Sequence, residues 1–391
     1  MTWLTWRQSR IQFLTAAAAL VIIALAYGLT ASGLNHLYAV YGTHPAEFLA
    51  QVKTGKYPLL YFAGGAIMYL APVLIGAFWG APMIARELEA GTSRLVWNQS
   101  VTRTRWLLVK LAIGGGAAMA FAGIASLLLS WWSAPIDKAG GFPVGTSQLS
   151  RFAPLMFGTR GIVPVGAAAL AFTLGVTVGL LLRRVIPAMA VTVALLAALL
   201  FAMPAAVSPH LISPAQYTRP VVANLTTMTM TGSGQLSDPV TDMPGAWILS
   251  DQIITSSGTV FALPDVPACQ TGTQAQCDSW LARQSLRQHV VYQPASRYWT
   301  FQILETLIWL AIAVALAGVS WRRIRAALRA AAIGHERGFR EHVQWVDAEV
   351  SCSTAPGRTH ASRAGSAQSI VIPLRRLGMR RILISSRPVA G

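Results

Sequence analysis

The sequence predicts an all-α polytopic membrane protein with six transmembrane helices and both termini in the cytoplasm. Three observations predict it. Of the 391 residues, 54% are hydrophobic and only 12% charged, about half the charged share of an ordinary soluble domain. Six apolar stretches reach the roughly 20 residues that a helix needs to cross a hydrocarbon core of about 30 Å. Basic residues gather on one side of those crossings, which is the cytoplasmic signature.

In chain order the stretches are Phe13–Gly33, Pro58–Gly80, Leu108–Trp132, Gly161–Leu182, Val185–Val207 and Trp299–Ser320. The first lacks a cleavage pattern and is long enough to span, so it reads as a retained helix. Met1–Gln12, short and Trp-bearing, suits an amphipathic lead-in at the inner surface. Only Arg183 and Arg184 separate the fourth and fifth stretches, which predicts a tight helical hairpin. Small residues inside the spans (Gly64, Gly65, Gly114 to Gly116, Gly175, Gly179) allow backbones to approach closely.

An inside amino terminus puts 22 of the 31 basic residues in the cytoplasm: Arg7 and Arg10, five between Arg86 and Lys110, Arg183 and Arg184, and thirteen from Arg322 onward. The net charge of +17 is thereby explained as cytoplasmic bias against the bilayer, with no nucleic-acid partner. Aromatic residues at the span ends, such as Trp131, Trp132, Tyr298, Trp299 and Trp321, suit the headgroup level. The region 208–297 has no further apolar stretch and reads as a long extracellular loop. Residues 334–391 read as a basic, disordered cytoplasmic tail.

The connection between the second and third spans, Pro82 to Trp106, reads as helix, break, short helix, break, helix. Glu87 and Glu89 form the charged end of the second span, and Gly91 can take the left-handed conformation that closes a helix. Thr92 or Ser93 can cap a short segment holding Leu95, Val96 and Trp97, and Ser100 with Thr102 offers a second cap. Local physics also fits an ordinary solvated loop.

The residues Arg86-Glu-Leu-Glu-Ala-Gly-Thr92, Arg94-Leu-Val-Trp97 and Gln99-Ser-Val-Thr-Arg103, followed by Lys110, resemble the ABC-2 type permease family, in particular a group of actinobacterial permeases. Pro294-Ala-Ser-Arg-Tyr-Trp-Thr-Phe-Gln302, followed by Glu305, resembles the same group. Where many members have Pro this chain has Val101. The resemblance implies a type V-like exporter half in the bacterial plasma membrane, paired with a second permease copy or a paralogue. It implies a separate ABC ATPase subunit that holds the ATP and Mg, with no cofactor on this chain. Arg94 to Ser100 would be the coupling helix and Glu87 and Glu89 its acidic hinge, with Arg86, Gly91, Thr92, Leu95, Trp97 and Arg103 around them. No Gly-x-x-x-x-Gly-Lys-Ser/Thr phosphate loop occurs in the chain, which fits a transport subunit and not an enzyme.

Glu305, an ionisable group within a span, and Gln302, a polar group three residues before it, are candidate pathway or gate residues. The competing reading for Glu305 is a helix-end carboxylate paired with Arg297 or solvated near the interface. Cys269 and Cys277 lie together in the extracellular loop, where oxidising conditions favour a disulfide. No paired catalytic or metal-binding groups recur in the spans. The function expected is export of an amphiphilic drug, lipid or peptide. The alternative is a membrane-anchored sensor or immunity protein that binds a ligand through 208–297.

Overall fold

The computed structural model describes residues 2–90, 103–144, 147–221, 229–230, 236–237, 243–261 and 273–353. The chain divides into two compact units, Met1–Ala330 and Ala331–Gly391; the helical bundle and its loops belong to the first. Among the described residues six helices are long and apolar enough to cross a membrane: Arg10–Tyr41, Tyr57–Glu89, Thr104–Lys138, Val163–Leu182, Val185–His210 and Ala295–Ala326. They are called spans 1 to 6 below.

Most outrun the expected apolar cores, because a helix continues into polar flanks until its hydrogen bonding is broken. Span 1 belongs to one helix, Thr2–Tyr41, so no separate lead-in precedes it. The helix of span 6 runs from Tyr298 to Ser353 and so extends over the first part of the expected tail; residues 354–391 lie outside the described residues.

Span 4 is the axis of the bundle. Of its most apolar window 72% is buried, against 6% for span 1. Small residues make this possible. Gly76 and Gly80 of span 2 oppose Gly175 and Gly179 of span 4, two small-xxx-small pairs facing each other. A Cβ added to Gly80 would lie 2.5 Å from the Phe172 carbonyl, and one on Gly179 would lie 2.5 Å from the Ala81 carbonyl. One on Gly175 would meet the Gly76 carbonyl oxygen. These contacts are backbone on backbone, so neither helix can give way by turning a side chain.

Spans 2 and 5 are irregular. Span 2 contains a π-helical turn at Ile75–Gly80, between α-helical Tyr57–Leu74 and Ala81–Glu89. Pro72 and Pro82 bracket it and cannot donate backbone hydrogen bonds. Within the turn, the Phe78 carbonyl accepts a hydrogen bond from Gln12 Nε2 of span 1 at 3.2 Å. Span 5 changes from α-helix to a π-helical turn at Met203–Val207, again at a proline, Pro204.

The three long connections, 42–56, 139–162 and 211–294, lie at one end of the bundle, the loop end. Ala90 and Arg103, where spans 2 and 3 meet their connection, and the link 183–184 lie at the other, the turn end. At the turn end, Arg183 takes a left-handed conformation with φ 54° and closes span 4, which gives the expected hairpin.

At the loop end a helix, Pro45–Lys53, buries Phe48, Leu49 and Val52. They join a core of Tyr27, Leu34, Tyr61, Trp132, Ile136 and Phe142. The all-α expectation needs correction here, because the chain is mostly helical with strands in its loops. Strands β1 (Phe142–Val144) and β2 (Ser147–Leu149) pair antiparallel. In 208–297, β3 (Ala215–Pro220), β6 (Trp247–Ile254) and β7 (Arg287–Gln293) form an antiparallel sheet of order β3-β7-β6. A two-residue pair, β4 (Thr229–Met230) and β5 (Leu236–Ser237), forms a second, two-stranded sheet. The helix Gln274–Ala282, with a capping box between Thr273 and Gln276, packs Cys277 and Leu281 against Ile253, Phe261 and Leu286.

Candidate functional site at the ends of spans 2 and 3

At the turn end, the last turns of span 2 and the first turns of span 3 are joined by an ion pair. Lys110 Nζ donates to Glu87 Oε1 at 2.6 Å, with side-chain exposures of 5% and 15%. The same ammonium donates to the Met83 carbonyl at 3.2 Å and lies 4.6 Å from the centre of the Trp106 ring. The surroundings are apolar: Ile84, Trp106, Leu107 and Ile324 are all buried in one cluster. A charge in such a place must be paired, since leaving it alone would cost several kcal/mol.

The second glutamate reaches in another direction. Glu89 Oε2 accepts a hydrogen bond from the backbone N–H of Val185 at 3.0 Å. That N–H is one of the unsatisfied donors at the start of span 5, where a negative charge is favoured. The Glu-x-Glu segment thus ties the end of span 2 to span 3 with one carboxylate and to the 4/5 hairpin with the other.

Of the expected site residues, Arg86 is exposed on the final turns of span 2. Arg103 opens the helix of span 3. Gly91, Thr92, Arg94, Leu95, Trp97 and Ser100 lie outside the described residues. Lys110, quoted only as part of the motif, is the residue that completes the clamp.

Gln302 is fully buried and acts between helices. Its Oε1 accepts from the backbone N–H groups of Ile162 and Val163, at 2.9 and 3.1 Å, and so caps span 4. Its Nε2 donates to the Phe157 carbonyl at 3.2 Å. Gly161, at φ 68°, leaves room for it; a Cβ there would lie 2.5 Å from Oε1. Glu305 is 4% exposed and accepts from Ser208 Oγ at 2.9 Å. It lines a cavity of about 20 Å³ together with Tyr69, Met203, Pro204 and Trp309, room for about one water. Arg297, the alternative partner, instead donates to the Ser213 carbonyl and to Gln293 Oε1. In the loop domain Cys277 is buried and disulfide-bonded, and Cys269 lies outside the described residues.

One buried pair was not foreseen. Arg160, 2% exposed, donates from Nη1 to both carboxylate oxygens of Asp137 at 2.6 and 2.7 Å. Its guanidinium lies 4.8 Å from the centre of the Tyr61 ring. Burial works against its charge, but Asp137 outweighs burial and holds its pKa above the ordinary value.

Six apolar helices with this core make the chain a multi-pass membrane protein. A family model described as ABC-2 membrane transporter related matches residues 12–208, the first five spans together with the clamp. The chain belongs to that family, whose members are membrane components of transporters. No curated protein and no solved structure matches the chain.

Proposed function

We propose that this chain is the permease subunit of an ATP-binding cassette exporter, driven by a separate ATPase that binds ATP and Mg. The loop end would face outward and both termini inward, and the chain would pair with a second copy or a paralogue. Apolar side chains along the spans that remain highly exposed, including Leu29 at 76%, Ile186 at 80%, Phe201 at 77% and Val314 at 71%, suit lipid and such a partner. The family match places the chain among transporter membrane components.

The observation that carries the coupling role is the clamp. An ATPase gripping 94–100 would pull on a segment whose flanks are joined by Glu87–Lys110 and fixed to span 5 by Glu89. Displacement would then move spans 2, 3 and the 4/5 hairpin as a unit. ATP can drive transport this way only insofar as the ATPase binds the two permease conformations with different affinity.

The test is affinity purification of the tagged chain co-expressed with a candidate ABC ATPase subunit from the same genome. Wild type and Arg283→Glu, at the loop end, should retain the ATPase, whereas Arg94→Glu and Trp97→Glu should lose it. A monodisperse chain with no ATPase partner and stable ligand binding through 208–297 would instead support the sensor reading.

A further inference from the structure

At the loop end, a cavity of about 500 Å³ lies among the last turns of span 3, residues 150–161, Pro244–Gly245 and the start of span 6. That volume is in the range of small-molecule sites. Among the described residues its lining is strongly biased in charge: Lys138, Arg151 and Arg160 face the single carboxylate of Asp137. The Asp137 contact uses only one guanidinium nitrogen, Nη1. Arg160 Nε and Nη2 are buried and find no acceptor among the described residues, and neither does Ser130 Oγ, also of the lining. A buried donor normally has a partner, so three such groups in one wall point to an acceptor supplied from outside the chain.

The rim has a different character. Leu127 and Trp299, both lining residues, are 68% and 56% exposed on the flanks of spans 3 and 6. They sit where a bilayer would contact the bundle. Arg151 stacks on the Tyr298 ring, 4.6 Å from its centre, which holds a cation at the mouth. A ligand suited to both parts carries an anionic oxygen head for the Arg and Ser wall and an apolar body for the rim.

Resting on the permease reading, we propose that this cavity binds the head of an anionic amphiphile, phosphate- or carboxylate-bearing, that enters between spans 3 and 6. Such a ligand is either the transported substrate or an anionic lipid of the adjacent leaflet. The shared chemistry is a head oxygen accepting from Arg160 and Ser130, with its charge met by Arg151 and Lys138.

The experiment uses the full chain in a nonionic maltoside, with tryptophan fluorescence and equilibrium titration as readouts. The probes are dodecyl phosphate, dodecyltrimethylammonium and inorganic phosphate. Saturable binding of dodecyl phosphate is expected, weakened by added salt and not displaced by dodecyltrimethylammonium. Arg151→Glu and Lys138→Glu, both at exposed positions, should each raise its Kd about tenfold or more. Normal thermal unfolding would show that these variants fold. Equal binding of the cationic probe, or unchanged affinity in both variants, would overturn the proposal. Inorganic phosphate binding as tightly as dodecyl phosphate would overturn the amphiphile assignment. In nanodiscs, weaker binding in phosphatidylglycerol than in phosphatidylcholine would identify bilayer lipid as the occupant; equal binding would identify a free amphiphile, and either outcome supports the site. ATPase co-purification is scored on the same wild-type preparation. Loss of anion binding with the ATPase retained counts against this inference alone, whereas anion binding without an ATPase counts against the permease reading alone.

Discussion

Removing the ammonium of Lys110 should be among the costliest single changes at the turn end. At 2.6 Å from Glu87, the pair attracts by roughly 6 kcal/mol at an effective dielectric of 20, before desolvation is subtracted. The net worth of the intact pair is small, because both groups left water to form it. The asymmetry is what matters: Lys110→Met takes from a largely buried carboxylate the cation that lies 2.6 Å from it, and breaking a buried pair by removing one partner costs about 3–5 kcal/mol. Adding Glu87→Gln removes that charge and should restore most of the loss. The assay is a double-mutant cycle by SDS titration of the purified full chain, followed by helical circular dichroism. A coupling energy of about 1–3 kcal/mol is expected. Additivity within about 0.5 kcal/mol would show that the two side chains do not act as a pair, and the clamp would fall with it.

Gly175→Ala should destabilise the bundle by about 1–3 kcal/mol through overpacking, since its Cβ meets backbone of span 2. Gly116→Ala, with nothing within 4 Å of the added Cβ, should be neutral or gain up to about 1 kcal/mol; equal unfolding midpoints for the two would refute the close-packing account. Gln302→Leu strips the cap from span 4 and should cost about 1–3 kcal/mol, which the same titration reads. Maleimide should not label Cys277 in the native chain without reductant; labelling before reduction, read by mass spectrometry, would contradict its bonded state.

The spans were legible because their signal is length in hydrocarbon, which no neighbouring residue can disguise. Their irregularities were not. Ile75–Gly80 and Met203–Val207 have the composition of ordinary apolar helix, and a π-helical turn depends on how carbonyls find donors across the bundle. Gln302 drew attention as a polar group inside a span, yet its task is to cap span 4. That could not be read without knowing that the helix begins at Val163 with Gly161 opening space before it.

Glu87 and Lys110 both stood in the recognised motif, but they are 23 residues apart. Only the antiparallel return of span 3 makes them neighbours. Asp137 and Arg160 looked like two ordinary loop charges for the same reason. The sheet in 208–297 was missed because β6 and β7 show no strict alternation. Their burial comes from Gln288, Val290 and Gln293 on one strand and from Trp247 and Ile253 on the other, a mixture of polar and apolar groups.

The central claim is that residues 94–100 are gripped by an ATPase. A photo-crosslinking amino acid at Trp97, in membranes that also contain a candidate ABC ATPase subunit from the same genome, tests it most directly. The account predicts one crosslinked product, permease plus ATPase, whose yield changes when ATP is trapped by vanadate, while the same probe at Arg283 gives none. An efficient probe at Trp97 that yields no ATPase adduct, with or without nucleotide, would contradict it.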